Sequence, residues 1–339
     1  MHILVTGGAG YVGSVSVDAF IRAGHRVTVL DDLSTGHRGA VSPGADLVSG
    51  SYGDAGAVAA LLTERRIDAV LHCGAKSIVG ESMTDPAKYF RENVSGGIAM
   101  LDGMRAAGVR RIVFSSTAAT YGMPERTPIL ETDPVRPINA YGETKRCVEA
   151  AISWYGHGYG LRSVILRYFN VAGASAACGE MHVPETHLIP TVLGAAAEGR
   201  DVMIFGEDYP TPDGTCVRDY IHVEDLAEAH LLALLATDSA DPRTGPPEGP
   251  CGPVICNLGS GSGFSNREVV ATAESVVGHR IPVRFGPRRA GDPPVLVASA
   301  ARAGEVLGWK PARGSLPEMI GSAWEWRRKH PDGYGPNGA

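Results

Sequence analysis

The chain opens with a glycine-rich turn between a strand pattern and a helix pattern. Residues Ile3–Thr6 predict a buried strand, Gly7, Gly10 and Gly13 follow at once, and a helix pattern runs over Tyr11–Ala23. Glycine at such a turn permits positive φ, lets the backbone approach a pyrophosphate closely and packs the new helix against the strand. The N–H groups and positive dipole end of the helix N-terminus bind phosphate. The pattern therefore predicts a dinucleotide-binding unit.

The second predicted strand indicates which dinucleotide is bound. The strand Arg26–Asp31 ends on an acidic pair, Asp31 and Asp32. A carboxylate at this position binds both hydroxyl groups of the adenosine ribose and repels a 2′-phosphate, so NAD is favoured over NADP. The cofactor-binding residues predicted for this part of the chain are Gly7, Gly10, Tyr11, Val12, Gly13, Asp31 and Asp32.

Strand and helix patterns alternate through the first half of the chain, which predicts a parallel sheet with crossover helices on both faces. We therefore expect an α/β protein: a Rossmann-type doubly wound parallel sheet with a smaller mixed α/β C-terminal lobe for the substrate. Residues 1–170 form the first domain, to which residues 215–258 return, and residues 171–214 and 259–339 form the second lobe. The predicted strands are Ile3–Thr6, Arg26–Asp31, Asp46–Ser49, Ala69–His72, Arg111–Ser115, Ser163–Arg167 and Val254–Asn257, and the predicted helices are Tyr11–Ala23, Ala55–Arg65, Pro86–Ala107, Tyr141–Tyr155, Glu224–Ala236 and Asn266–Val277.

Composition argues against several classes of partner. The net charge is −6 and no long basic run occurs, so no nucleic acid is expected. No apolar stretch approaches the ~20 residues that cross a bilayer, so no membrane is expected either. A strand at the very start of the chain leaves no room for a signal peptide. The six cysteines are scattered, and no histidine or carboxylate cluster has the spacing of metal ligands. We expect reduced thiols, a cytoplasmic location and no metal.

A second signal is the stretch Tyr141-Gly-Glu-Thr-Lys145. Residues i and i+4 share one face of a helix, so the two side chains stand side by side. Because a nearby ammonium stabilises a tyrosinate, we expect Lys145 to lower the pKa of Tyr141, and oxidised nicotinamide to add a second positive charge. Thr117 lies just beyond the predicted strand Arg111–Ser115 and brings a hydroxyl to the ligand crevice, where it can hydrogen-bond the substrate oxygen that Tyr141 deprotonates.

These three pieces together resemble the extended short-chain dehydrogenase/reductase family. Five further stretches resemble the UDP-glucose 4-epimerases of that family, and the similarity extends from residue 1 to about residue 334. The resemblance implies interconversion of UDP-galactose and UDP-glucose through a transient 4-keto sugar with tightly bound NAD. It also implies a homodimer formed through Pro86–Ala107 and Tyr141–Tyr155. The five stretches are Val79–Ser82, Arg167–Asn170, Phe205–Gly214, Val217–His222 and Pro287–Asp292.

The resemblance further implies roles for individual residues. Tyr141 is the acid/base at the sugar 4-hydroxyl, Lys145 tunes it and binds the nicotinamide ribose, and Thr117 stands where the family usually has a serine. Asn93 and Phe169 match residues that contact the cofactor. The residues that match contacts to the UDP-sugar, besides Thr117 and Tyr141, are Asn170, His187, Leu188, Phe205, Arg218, Tyr220, Arg289, Asp292 and Leu296. Two arginines among them suit a pyrophosphate, which paired guanidinium donors bind well.

Several residues depart from the family pattern, and several alternatives stay open. Thr117 replaces the usual serine, Ser51 stands where many relatives have an aspartate that contacts adenine, and Cys73 replaces a common phenylalanine near the cofactor. His187 stands where an asparagine is common, and Leu296 occupies a position that sets the size of the sugar pocket. Leucine is intermediate in size there, so UDP-GlcNAc or UDP-GalNAc, a UDP-uronic acid or a UDP-pentose are alternative substrates.

A nucleotide-sugar 4,6-dehydratase is disfavoured, because Ala118 and Ala119 replace the acid pair that elimination requires. A non-catalytic NAD sensor is the alternative outside the enzymes, and it has no need of Tyr141.

Overall fold

The computed structural model describes residues 1–238, 252–289 and 292–335. The strands are β1 (His2–Thr6), β2 (Arg26–Asp31), β3 (Asp46–Ser49), β4 (Ala69–His72), β5 (Arg111–Thr117), β6 (Arg162–Tyr168), β7 (Asn170–Ala172), β8 (Val202–Phe205), β9 (Val217–His222), β10 (Val254–Leu258), β11 (Gly263–Ser265), β12 (Val283–Gly286) and β13 (Val295–Leu296). The helices are α1 (Tyr11–Arg22), α2 (Ala55–Glu64), α3 (Val79–Thr84), α4 (Pro86–Tyr89), α5 (Gly96–Ala106), α6 (Ala140–Tyr159), α7 (Leu188–Glu198), α8 (Val223–Ala236), α9 (Asn266–Val277), α10 (Ala301–Leu307) and α11 (Leu316–Lys329).

The main sheet has seven parallel strands in the order β3-β2-β1-β4-β5-β6-β10. The strand order reverses between β1 and β4. In doubly wound sheets the ligand crevice opens beyond the carboxyl ends of the strands at this switch point. The predicted Rossmann-type α/β fold is therefore confirmed.

Both faces of the main sheet are buried under helices. Successive side chains of a strand point to opposite faces, so Val5 joins the core beneath α1 and α8, while Leu4 joins the core beneath α2, α5 and α6. Burial on both faces explains why these strands read as continuous apolar runs in the sequence. The two layers of helices hold the carboxyl ends of the strands rigidly around the crevice.

The second lobe is built on small mixed sheets. Strand β9 pairs in parallel with β7 and β13 and antiparallel with β11, and β8 pairs with β12. Helices α7, α9 and α11 pack around a separate apolar core that includes Val192, Val269 and Met319. Within 215–258, the segment predicted to return to the first domain, β9 lies in this second lobe, whereas α8 packs on α1 and β10 joins the main sheet.

The predicted helix Pro86–Ala107 is present as one continuous run of helical residues, 86–106. It consists of α4, a π-helical segment at Phe90–Ser95, and α5, and the backbone at both junctions keeps right-handed helical dihedral angles. A π-helical turn places one residue more per turn and is often found at functional sites. Here it carries Asn93, whose buried side chain bonds outside its own helix.

Two remaining expectations concern the rest of the chain. An exposed loop was expected over residues 238–253, and residues 239–251 lie outside the described part. Across the described ranges, no helix combines the length and the apolar character needed to cross a membrane.

Candidate active site

One large cavity of about 810 Å³ lies at the switch point and runs between the two lobes. Its wall includes the glycine-rich turn, the ends of β2 and β5, the start of α6, and residues of β9 and β13. The predicted site residues that line it are Gly7, Gly10, Tyr11, Val12, Gly13, Asp31, Asp32, Thr117, Tyr141, Lys145, Phe169, Asn170, His187, Leu188, Phe205, Arg218, Tyr220, Arg289, Asp292 and Leu296. The structure therefore brings together residues that are up to about 290 positions apart in sequence.

The glycine-rich turn has the geometry of a dinucleotide cradle. Gly7 has φ +70°, and a Cβ there would lie 2.6 Å from the backbone nitrogen of Gly74. A Cβ on Gly13 would lie 2.1 Å from the carbonyl oxygen of Gly7, whereas one on Gly10 would meet only that oxygen, at 3.4 Å. Gly10 is also the N-cap of α1 and offers no side-chain acceptor to the first turn. The helix N-terminus is thus left open toward the cavity, as binding of a pyrophosphate requires.

Asp31 lies at the edge of the same cradle. Its two carboxylate oxygens accept hydrogen bonds from the N–H groups of Ala9 and Leu33, each at 2.9 Å. Burial raises the pKa of Asp31, and these two N–H groups oppose the rise. A carboxylate oxygen accepts more than one hydrogen bond, so the side chain can hold the turn in shape and still bind ribose hydroxyls.

Asp32 is more exposed, and one of its oxygens accepts bonds from the N–H and hydroxyl of Ser34. Burial tends to raise its pKa, but the bonds from Ser34 outweigh burial and the pKa is lowered. Two carboxylates at this edge make it unfavourable for a 2′-phosphate.

Tyr141 and Thr117 meet at the centre of the cavity. Asn139 caps α6 by accepting a bond from the N–H of Gly142 at 2.8 Å, so Tyr141 lies in the first turn of the helix. Burial raises the pKa of Tyr141 to about 12, and its hydrogen bond with Thr117 acts in the opposite direction. The sequence had indicated a lowered pKa. The difference arises because removal of the phenolate from water outweighs the stabilisation that the protein's own groups provide.

Lys145 follows one helical turn later and is almost completely buried. Its Nζ donates to the carbonyl oxygen of Ser115 at 2.8 Å and lies 4.8 Å from the centre of the Phe114 ring. Burial lowers the pKa of Lys145 to about 8, against the opposing effects of Cys73 and Glu149. The ammonium is therefore fixed on β5 at Ser115, two positions before Thr117 in the same strand.

The second-lobe side of the cavity carries the two predicted arginines. Arg218 donates to the carboxylate of Asp292 and to the carbonyl oxygen of Val217. Arg289 is exposed, and its guanidinium lies 4.2 Å from the centre of the Phe205 ring. The N-terminus of α7 also contributes to this wall and adds the partial positive charge of a helix dipole. This side of the cavity is suited to an anionic ligand with a flat ring.

Known proteins share both the sequence and this architecture. The model of the NAD dependent epimerase/dehydratase family matches residues 3–245. The chain belongs to this family. It is 51% identical to the UDP-glucose 4-epimerase of Streptomyces lividans over 99% of this chain and 98% of that protein. It is 48% identical to the UDP-glucose 4-epimerase of Lacticaseibacillus casei over 99% of each. The crystal structure of UDP-glucose 4-epimerase from Brucella ovis in complex with NAD has a TM-score of 0.89, at 43% identity over 96% of this chain and 97% of that one.

Of the site residues predicted for this member of the epimerase/dehydratase family, only Asn93 does not line the cavity. Its side-chain oxygen accepts from the N–H of Lys76 at 2.8 Å, and its amide donates to the carbonyl oxygen of Lys76 and to Thr144. Asn93 thus ties the loop after β4 to α6. Any effect on the cofactor acts through that loop.

Sequence reasoning missed several cavity residues, and two of them show why. Lys76 donates from Nζ to the hydroxyl of Ser34 at 2.7 Å and helps to keep the pKa of Asp32 low. Its rarity was a usable signal, because the chain has few lysines and this one follows a strand end. Tyr168 is partly buried and pairs in register with Thr117 across β5 and β6. No local pattern distinguishes it from an ordinary core tyrosine.

A cluster of three potential metal ligands was not expected from the sequence, which predicted no metal site. Glu180, His182 and His187 bring potential ligand atoms within 4.8 Å of one another at the cavity wall. Their spacing matches no common metal motif, so only the folded loop reveals the cluster.

Proposed function

We propose that this chain is a UDP-glucose 4-epimerase, which interconverts UDP-galactose and UDP-glucose with NAD as its cofactor. The observation that carries the proposal is the single cavity that joins three parts: a glycine-rich cradle, a tyrosine–threonine–lysine centre, and an arginine-bearing wall. Curated relatives of this name that cover nearly the whole chain support the same reaction.

The cradle fits the cofactor. Gly7, Gly10 and Gly13 leave room for a pyrophosphate at the N-terminus of α1, and Asp31 has free lone pairs for the adenosine ribose. When bound, oxidised NAD supplies a hydride acceptor for C4 of the sugar and a positive charge beside Tyr141.

Tyr141 and Thr117 handle the proton. In our proposal the phenolic oxygen of Tyr141 takes the proton of the sugar 4-hydroxyl and returns it at the end of the reaction. Thr117 hydrogen-bonds the same oxygens and keeps them aligned. With a pKa of about 12, Tyr141 by itself is protonated at neutral pH, so its function as a base depends on added positive charge. Lys145 is fixed on Ser115. The causes that set the pKa of Tyr141 are burial and Thr117, so in our proposal the added charge comes from oxidised NAD.

The second-lobe wall holds the nucleotide end of the substrate. Arg218 and Arg289 neutralise the pyrophosphate, and Phe205 and Tyr220 provide flat surfaces near it. If the nucleotide is held and the sugar is held loosely, the 4-keto sugar can present either face to the cofactor. This division of binding explains how one site returns two epimers.

The residues proposed to surround the sugar distinguish this reaction from a 4,6-dehydratase and bear on which UDP-sugars are accepted. Ala118 and Ala119 line the cavity next to Thr117 in sequence, and neither has an acid for the elimination step of a 4,6-dehydratase. Leu296 lines the cavity beside Arg218, its register partner, so the size of its side chain limits the 2-substituent of the sugar. N-acetylated UDP-sugars are the second class of substrate that we would test.

We also propose a homodimer and a cytoplasmic location. Helices α5 and α6 lie side by side and expose Ile98 and Trp154, which suit a helical interface between two copies. Cys73, Cys147, Cys178, Cys216 and Cys256 are free thiols, as expected in a reducing compartment.

The test is turnover without added cofactor. Purified protein receives UDP-galactose alone, and proton NMR follows the anomeric signals. We expect conversion to a mixture with UDP-glucose, because the retained cofactor ends each cycle as it began. A protein that carries NAD yet leaves UDP-galactose unchanged would refute the proposal, and UDP-GlcNAc would then be the next substrate.

A further inference from the structure

The segment between β7 and α7 carries a cluster of three residues, two of which have no role in the proposed reaction. Glu180, His182 and His187 lie on the cavity wall with one potential ligand atom each inside a 4.8 Å space. His182 and Glu180 play no part in the proton or hydride chemistry above. We propose that Glu180, His182 and His187 form a binding site for a divalent transition-metal ion such as Zn²⁺.

Nδ1 of His182 hydrogen-bonds to a carboxylate oxygen of Glu180 within the cluster, at 2.5 Å, and His187 is oriented by a residue outside it. Nδ1 of His187 hydrogen-bonds to a carboxylate oxygen of Glu185 at 2.9 Å. Metal-binding histidines commonly bond a carboxylate through one ring nitrogen, which sets the tautomer and leaves the other nitrogen with a free lone pair. The same oxygen of Glu185 accepts from the N–H groups of Thr186 and His187 at 2.7 Å, so the carboxylate is itself held in place.

The loop that carries the cluster is anchored at two points. The ring of His37 hydrogen-bonds to the carbonyl oxygen of Met181 at 2.9 Å. The hydroxyl of Tyr334 accepts from the N–H of Gly179 at 3.0 Å and donates to its carbonyl oxygen at 2.9 Å. Since His37 and Tyr334 also stack on each other, the backbone on either side of Glu180 is tied to both lobes. Because the backbone is already held in place, binding an ion orders less of the loop and costs less conformational entropy.

The donor set selects the kind of ion. Two imidazole nitrogens and one carboxylate suit Zn²⁺, Co²⁺ or Ni²⁺, whereas Mg²⁺ and Ca²⁺ prefer sites made only of oxygen. Ligand atoms of tetrahedral Zn²⁺ at about 2.0–2.1 Å from the ion are roughly 3.3 Å apart, so the cluster must contract modestly. His182 and His187 are 27% and 47% exposed, which leaves their rings free to turn toward the ion. The fourth position would face the cavity and the proposed substrate.

Equilibrium metal binding to the full-length protein tests the proposal. Protein treated with chelator and kept reduced is titrated with Zn²⁺ against a chromophoric competitor. We expect one equivalent to bind tightly. The variants His182→Gln and Glu185→Gln should each weaken binding by at least about 10- to 100-fold, the second because it removes only the carboxylate that orients His187. The control variant is His157→Gln, which changes an exposed histidine on α6. Its affinity for Zn²⁺ should equal that of the unmodified protein.

Two outcomes would overturn the site. If the double variant His182→Gln/His187→Gln binds Zn²⁺ with undiminished affinity, the ion lies elsewhere. If His157→Gln weakens Zn²⁺ binding as much as His182→Gln does, the ion binds adventitiously to histidine. Co²⁺ provides a readout on the unmodified chain, so the test does not depend on variants that fold. Visible bands of a tetrahedral or five-coordinate nitrogen–oxygen site support the proposal, and a thiolate-to-cobalt charge-transfer band or no bound Co²⁺ contradicts it.

Discussion

At the scale of single residues, burial decides the chemistry of the proposed catalytic centre. Tyr141 and Lys145 are both buried, and their pKa values move apart, to about 12 and about 8. Each shift disfavours the charged form of its own group. The centre is therefore poised so that an added positive charge has a large effect on Tyr141.

The substitution Tyr141→Phe removes the proposed proton acceptor and keeps the ring. We expect epimerisation to fall by about 10²- to 10⁴-fold, the usual contribution of general acid–base catalysis, while NAD stays bound. Turnover by NMR and cofactor content by absorbance measure the two effects. Tyr159→Phe at the exposed end of the same helix is the matched control. Loss of NAD together with activity would indicate a structural role for Tyr141.

Asp31→Asn tests the ribose contact. Replacing a charged acceptor by a neutral one loses about 1.5–3 kcal/mol of hydrogen bonding, so NAD affinity should fall by about 10- to 100-fold. Asp32→Asn should have a smaller effect, because that carboxylate is bound by Ser34. Calorimetric titration of cofactor-free protein compares the two variants. Equal losses would mean that net charge, rather than a specific contact, holds the ribose.

At the scale of elements, the main sheet and helix α9 of the second lobe were predictable from sequence, and the short strands of the second lobe were not. Buried parallel strands leave long apolar runs, so their positions could be read directly. Strands such as β7, β11 and β13 have two or three residues and are defined by pairing with β9, which no local pattern reports. The π-helical turn at Phe90–Ser95 lies inside the predicted helix and was not itself predicted, because the groups that Asn93 bonds, at Lys76 and Thr144, are distant in sequence.

The proposed dimer depends on the faces of α5 and α6. Trp154 is 73% exposed, and a charge at the centre of a helical interface should prevent association. We expect Trp154→Glu to be monomeric in size-exclusion chromatography with light scattering. Leu235→Glu, which changes an exposed leucine on α8, should leave the dimer intact. A monomeric unmodified chain would disprove this part of the proposal.

At the scale of the whole molecule, two buried histidines link stability to pH. Burial lowers the pKa of both His72 and His230 to about 3, with the charge of Lys145 adding to the effect at His72. The unfolded chain takes up these protons near pH 6.5 and the folded chain does not. The free energy of unfolding should therefore fall as the pH drops from about 6.5 toward 3, by about 1.4 kcal/mol per pH unit for each histidine.

Denaturant unfolding between pH 7 and pH 4 measures this dependence. His230→Gln keeps a polar side chain beside Ser16 and Ser115. It should reduce the slope of the unfolding free energy against pH by the contribution of one histidine. His157→Gln changes an exposed side chain and should leave the slope as it was. A His230→Gln variant with an unaltered slope would exclude His230 as the source.

The chain segments and hydrogen bonds that link the two lobes affect how the protein unfolds. Phe169 separates β6 from β7, and Leu258 ends β10 shortly before β11. The N–H of Phe169 donates to the carbonyl oxygen of Leu258 at 3.1 Å, and that of Ser260 to Tyr220 at 3.2 Å. Neither lobe can lose its fold without breaking the hydrogen bonds that order the other. Heating should thus give one cooperative transition in calorimetry, and limited proteolysis should release no stable half.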